Sequence, residues 1–288
     1  MAGGISPSRT VLLTSAALIA FAANSLLCRW ALGGRFIDAA SFSTVRVIAG
    51  AVTLCIILLA ASRGAFPRLA GNWRSVTALC AYMLGFSFAY LSLHAGTGAL
   101  ILFGCVQLTM FIVSLRGGEH FSMLSWGGLA IALAGLIYLV SPGLSAPDPL
   151  GAMLMGGAGV AWGFYSLIGR TAKDPLQATT TNFVFSAPVV IAVSIVGFGQ
   201  MRLSQTGLAL AIASGAIASG CGYVIWYAAL RGLTGTRAAV VQLAVPVIAA
   251  IAGVAILGEP VTLRLVIASI ATLGGVAIVL AQRAAKTT

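Results

Sequence analysis

Ionised side chains are scarce in this chain, and acids are the scarcest: charged residues fill 7% of 288 positions, with five Asp or Glu against sixteen Lys or Arg. Soluble domains carry about 25% charged residues, so a water-soluble fold is excluded on surface chemistry alone. Histidine occurs twice, at His94 and His120, and the acids Asp38, Glu119, Asp148, Asp174 and Glu259 do not cluster. An integral membrane enzyme needs paired acids, a His-rich metal cluster or an activated nucleophile, so the expectation is a non-enzyme with no cofactor and no metal. The five cysteines, Cys28, Cys55, Cys80, Cys105 and Cys221, share no close spacing and lie mostly in apolar runs, which suits packing better than disulfides or metal ligation. A basic helix or tract is missing too. The net charge of +11 is scattered over short connections, which argues against nucleic acid as a partner.

What is abundant is apolar: 60% of the residues are hydrophobic and the mean hydropathy is +1.06. Each spanning helix needs about 20 mostly apolar residues, and the uninterrupted Leu, Ile, Val and Ala runs do not alternate as barrel strands do. The pattern predicts an all-α integral membrane protein of ten transmembrane helices, near 10–27, 42–61, 76–93, 98–115, 123–140, 150–168, 181–198, 208–230, 238–257 and 263–282. Cytoplasmic loops hold the excess of Lys and Arg. With the N-terminus inside, eleven basic residues fall on the cytoplasmic face and five (Arg29, Arg35, Arg46, Arg202, Arg264) on the other. Both termini are therefore expected in the cytoplasm, with the protein in a bacterial inner membrane and the lipid bilayer as its surroundings.

The two halves resemble each other at an offset of about 140 residues. Asn24-Ser25-Leu26-Leu27-Cys28-Arg29 echoes Tyr165-Ser166-Leu167-Ile168-Gly169-Arg170, and Phe21 falls on Trp162. Gly118-Glu119-His120 falls on Gly258-Glu259-Pro260, and Ala134-Gly135 on Gly274-Gly275. Pro142, Pro147 and Pro149 mark a linker between repeats at 1–145 and 146–288. Five spans per repeat is an odd number, so the second copy enters the membrane upside down, an architecture of secondary transporters around a central cavity. Arg9, the apolar run after it and Ala20-Phe21-Ala22 have the look of a signal peptide, but a first span that takes part in the repeat is expected to be retained. These features, with Trp162 ahead of Ser166-Leu167-Ile168-Gly169-Arg170 and Gly-Glu before the last span of each half, resemble the drug/metabolite transporter superfamily. The resemblance is closest to its EamA-type exporters, and among them to aromatic amino acid exporters of the YddG type. It implies alternating-access export of small metabolites, with a small-molecule substrate. Gly-x-x-x-Gly spacing suits packing within the bundle, so no oligomer is required.

A solute pathway must present polar or aromatic groups at depth. Asn24, Gln107 and Gln242 are the amides inside spans, and Tyr82, Phe86, Trp162, Tyr223 and Trp226 the aromatics. Counted from the cytoplasmic ends, Tyr82, Trp162, Tyr223 and Gln242 share a level roughly 10 Å inside the boundary at 1.5 Å per residue. A substrate platform is one reading; interfacial aromatic belts and helix-bonding amides are the other. Tyr90 and His94, near the outer end, suit an interfacial or capping role. Arg29 and Arg46 are expected to snorkel to water, and Glu119 and Glu259 to favour the N-termini of the helices that follow them. Pro246 is a candidate hinge, whereas Pro188 suits a static kink. With no acid at mid-membrane, a proton relay has no obvious carrier, which favours facilitated efflux or exchange. Drug, nucleotide-sugar or sugar-phosphate carriage stands as the alternative, with a channel or scramblase behind it. An anionic substrate would require a deep Lys or Arg, and none is expected there.

Overall fold

Short polar residues stand just before many of the apolar runs, where they take over backbone N–H groups that the first helical turn leaves unpaired. The computed structural model describes residues 6–62, 71–118, 121–169, 172–233 and 235–286. In it the side chain of Asp38 accepts from the Ser41 N–H at 2.9 Å, Asp174 from Gln177 at 3.0 Å and Ser204 from Gly207 at 3.0 Å. Among these residues the helices are α1 (Pro7–Gly33), α2 (Ala39–Ala61), α3 (Trp73–Ala89), α4 (Ala95–Arg116), α5 (Met123–Val140), α6 (Pro149–Gly169) and α7 (Pro175–Val196). They continue as α8 (Gln205–Ile212), a π-helical stretch (Ala213–Cys221), α9 (Gly222–Leu230), α10 (Gly235–Gln242), α11 (Ala244–Leu257) and α12 (Leu263–Lys286). No strand occurs among them. Among the described residues the only extended pairing is a single antiparallel bridge between Ile37 and Leu203.

Among the described residues, nine helical stretches are long and apolar enough to cross a bilayer, with Gln205–Leu230 and Ala238–Leu257 each counting as one. The expected span at 76–93 meets α3, whose 17 residues reach about 25 Å at 1.5 Å per residue, short of the roughly 30 Å hydrocarbon core. The seventh span begins earlier than its apolar run. Asp174 caps it, Pro175 occupies its first turn, and Thr179, Thr180 and Thr181 are buried inside the bundle, so their polarity is no sign of a loop. Outward-facing side chains such as Ile56, Ile137, Ile195 and Ile270 are apolar and exposed, as a lipid-facing surface requires.

Helix pairing places α3 and α4 against α6, α1 against α9 and α11, α2 against α7 and the π stretch, α4 against α11, and α5 against α12. Small residues set the closest of these contacts. A side chain at Gly128 would meet the Gly275 carbonyl at 2.6 Å, and one at Gly275 would strike the Gly128 carbonyl, so α5 and α12 touch backbone to backbone. Gly215 of the π stretch lies against the Arg46 carbonyl of α2 in the same way. Gly215→Ala is therefore expected to force α2 off the π stretch at a cost of about 1–3 kcal/mol. The checks are a lower melting temperature in detergent and a lower yield of monodisperse protein.

The two prolines behave differently. Pro188 lies inside α7 without interrupting it. Pro246 has no N–H for the Gln242 carbonyl, and the helix breaks at Leu243, between α10 and α11. The Leu243 N–H turns instead to the Val240 carbonyl at 3.1 Å.

Candidate substrate cavity

Five of the eight candidate residues come together between α1, α3, α6 and α9. A cavity there is lined by Phe21, Asn24, Ser25, Tyr82, Phe86, Leu102, Phe103, Trp162 and Tyr223. Trp162 stands at the centre of its aromatic wall, with ring centroids 4.7 Å from Tyr82, 5.3 Å from Tyr223 and 5.3 Å from Tyr165. Tyr82 and Phe86, one turn apart on α3, lie 5.4 Å from each other. These tilted and stacked pairs place the rings in mutual contact and help to fix one another's orientation.

Trp226 stands beside this group: its ring packs edge-on against Phe21 at 5.7 Å without lining the cavity. Gln107 is buried one turn beyond Phe103 on α4, and its amide nitrogen has no hydrogen-bond partner. It too lies outside the lining. Gln242 is buried at the end of α10, where its helix meets α1, α11 and α12, so the level shared with Tyr82 does not bring it to the cavity. Depth along a helix is readable from sequence, whereas the face presented depends on how the helices turn against one another.

Arg46 is the residue that sequence reasoning misplaced. It does not snorkel: it is fully buried on α2. Asp38 starts α2 at Ala39, which puts Arg46 two turns into the helix. Its Nη2 donates to the Tyr82 hydroxyl at 3.1 Å and its Nε to Ser219 Oγ at 3.4 Å, while the guanidinium lies 4.8 Å from the Phe86 ring centre and 5.5 Å from that of Tyr82. Nη1 has no partner. Among the described residues no carboxylate pairs with Arg46. Asn24 joins the network, donating to the Tyr82 hydroxyl at 3.4 Å and accepting from Ser214 at 2.5 Å. Ser214 and Ser219 both belong to the π stretch. Its i→i+5 bonding widens the turn so that residues five apart reach the same face, a feature frequent at functional sites.

One end of the bundle is tied together by a cluster of charged groups. The carboxylate of Glu259, after α11, accepts from Arg29 Nε at 2.9 Å, lies 3.1 Å from His94 Nδ1 and accepts from the Ala95 N–H at 2.8 Å. Glu259 therefore serves the N-terminus of α4, where His94 provides no side-chain cap, and not that of the helix following it. The companion expectation for Glu119, with His120, lies outside the described residues. Burial pushes the Glu259 carboxyl up, but the hydrogen bonds from His94, Ala95 and Arg29 outweigh it and hold it below the ordinary glutamate value. Arg29 also donates to the Tyr90 carbonyl at 3.2 Å. Tyr90, expected in an interfacial or capping role, is fully buried at the C-cap of α3, and its hydroxyl donates to the Ala95 carbonyl at 3.2 Å. Nearby, Asp38 accepts from the Arg202 N–H at 3.0 Å, and Asp148 accepts from Ser92 at 3.0 Å. The four described acids thus all sit at helix ends.

Nine membrane-length apolar helical stretches among the described residues, packed around this small aromatic-lined cavity, define a multi-pass membrane protein. Residues 149–281 match the EamA-like transporter family. Uncharacterized protein PA1977 of Pseudomonas aeruginosa is 48% identical over 275 residues, covering 96% of either chain. An EamA-like transporter family domain is thus present over residues 149–281 of the chain. A protein of known crystal structure, 18% identical, superposes with a TM-score of 0.64 over 96% of this chain and 97% of its own, which shows a shared fold.

Proposed function

We propose that the protein exports amino acids with aromatic or other neutral side chains, or closely related small metabolites, across a bacterial inner membrane. Access alternates between two inverted five-helix repeats, 1–145 and 146–288, with α3 as the third span, which brings the nine stretches to ten, and both termini in the cytoplasm. The observation that carries this reading is the wall of Tyr82, Trp162 and Tyr223 beside the Asn24 amide: aromatic faces suit an apolar side chain, and the polar flank suits the backbone end of an amino acid.

The inversion is supported by how the helices pair. Exchanging the halves turns the α3–α6 contact into the contact of α1 with the Gln205–Leu230 rod, and α4–α6 into α1–α11. The contacts α2–α7, α4–α11 and α5–α12 map onto themselves. The aromatic wall follows the same rule. Phe21 and Tyr82 each precede their counterparts, Trp162 and Tyr223, by 141 positions, and Gly118 and Gly258, at matching turns, both hold positive φ. The excess of Lys and Arg on one set of loops supports the orientation. It assigns the tied end, with Arg29, His94 and Glu259, to the side away from the cytoplasm.

The test is uptake and counterflow in proteoliposomes with Phe, Trp, Met, Thr and a sugar phosphate. Saturable counterflow with Phe or Trp is expected; a channel or scramblase would show none. Buried Arg46 favours a second reading, carriage of an anion such as a sugar phosphate or nucleotide sugar, and flux confined to the sugar phosphate would select it.

A further inference from the structure

We infer that Arg46 is the specificity-determining residue of the cavity and that it receives a carboxylate of the transported compound; this rests on the reading of the cavity as a transport site. A fully buried guanidinium is costly in a membrane bundle unless an anion, a cavity or hydrogen bonds compensate it. Here the compensation is incomplete. Two nitrogens are satisfied by neutral hydroxyls and two ring faces cover the cation, but Nη1 is left without a partner.

The surrounding hydroxyls are arranged for an acceptor. The Tyr82 oxygen accepts from both Arg46 and Asn24, which leaves its own proton to donate. The buried Tyr223 hydroxyl has no partner either. Arg46 Nη1, Tyr82 O–H and Tyr223 O–H are three donors seeking acceptors at one site, and a carboxylate is acceptor-only, with capacity for about four hydrogen bonds. A phosphate dianion fits less well. The described lining residues include no cation, and Arg46, which stands behind Tyr82 and Phe86, brings a single charge to the cavity, so half of a dianion's charge would stay uncompensated against Phe21, Phe86 and Trp162. The compound is thus a monocarboxylate, free or zwitterionic, carrying an apolar or aromatic group for the Trp162 wall.

The test uses purified full-length protein and a pair of probes that differ only in the anionic group, 3-phenylpropionate and 3-phenylpropanamide, with binding read by tryptophan fluorescence and by competition with phenylalanine flux. Wild type is expected to bind the carboxylate at least tenfold more tightly than the amide. Arg46→Gln should weaken the carboxylate at least tenfold and leave the amide within about twofold, while Arg46→Lys, which keeps the charge without the fork, should retain part of the preference. A merely structural arginine would weaken both probes alike, and that result overturns the inference. So does a wild type that does not distinguish them, a comparison that needs no variant to fold. If phenylalanine counterflow is saturable and only the carboxylate preference is missing, the inference fails alone; if wild type moves nothing in the panel, the transport reading fails with it.

Discussion

Removing the Glu259 carboxylate is expected to open the tied end of the bundle and to raise the rate at which Cys28 reacts with a small thiol reagent at least tenfold. Cys28 is fully buried on α1, one residue before Arg29, and is therefore a reporter of whether that end opens when the Glu259 contacts are removed. Glu259→Ala deletes the hydrogen bond from Arg29, the contact with His94 and the cap on the Ala95 N–H. Hydrogen bonds involving a charged group contribute about 1.5–3 kcal/mol each when buried, and less at this partly exposed site. A tenfold shift in the open population needs about 1.4 kcal/mol, within reach of losing one such contact. The measurement requires Cys55, Cys80, Cys105 and Cys221 as serine, with folding checked by size exclusion. Unchanged Cys28 reactivity would mean that the tie does not hold the end closed.

The same group fixes a pH dependence. Because the folded state holds the Glu259 carboxyl below its ordinary value of 4.5, its stabilisation is fully present above that value and is lost as pH falls through the lower folded value. The melting temperature of wild type should exceed that of Glu259→Gln at neutral pH, and the gap should close in acid. A gap that widened on acidification would contradict the sign.

Hydropathy located the helices well because the lipid-facing side of a spanning helix must be apolar, and only positions buried in the bundle can depart from that. It was less informative at α3, where only 17 residues are helical, and at the start of α7, where threonines pack inside the bundle. Within the site, Asn24, Tyr82, Phe86, Trp162 and Tyr223 were legible as polar or aromatic groups at depth. Gln107 and Gln242 carry the same signal but face elsewhere, since the rotation of a helix about its axis is set by its neighbours. Arg46 was legible in principle: it lies inside an apolar run, two turns after Asp38, a helix-capping residue type. Its nearness to the membrane boundary suggested snorkelling, whereas the close approach of Gly215 to its carbonyl encloses it. The π stretch left only a trace in the sequence, the Ser and Gly at Ser214-Gly215 and Ser219-Gly220, because π and α differ in hydrogen-bond register and not in composition.

Trp162→Ala is expected to lower the rate of phenylalanine counterflow at least tenfold while leaving folded protein in hand. Trp162 joins the two tyrosines of the wall, contacting Tyr82 and Tyr223 with ring centroids 4.7 and 5.3 Å away. Its removal deletes the largest apolar face offered to a solute and frees both neighbours to turn. Truncating a fully buried Trp costs about 3–5 kcal/mol; Trp162 is only partly buried and borders the cavity, so less is lost here and the bundle should persist. Trp162→Phe, which keeps a ring face, should restore most of the flux. Phe21→Ala removes the counterpart ring, whose nearest wall contact is the longer 6.1 Å approach to Tyr223, and is expected to have the smaller effect. The asymmetry matters, because under the proposed repeat architecture it places the solute nearer the Trp162 side than the Phe21 side. Equal losses from Phe21→Ala and Trp162→Ala would place the solute on the axis between the halves. Unchanged flux for Trp162→Ala would remove the aromatic wall from the pathway altogether.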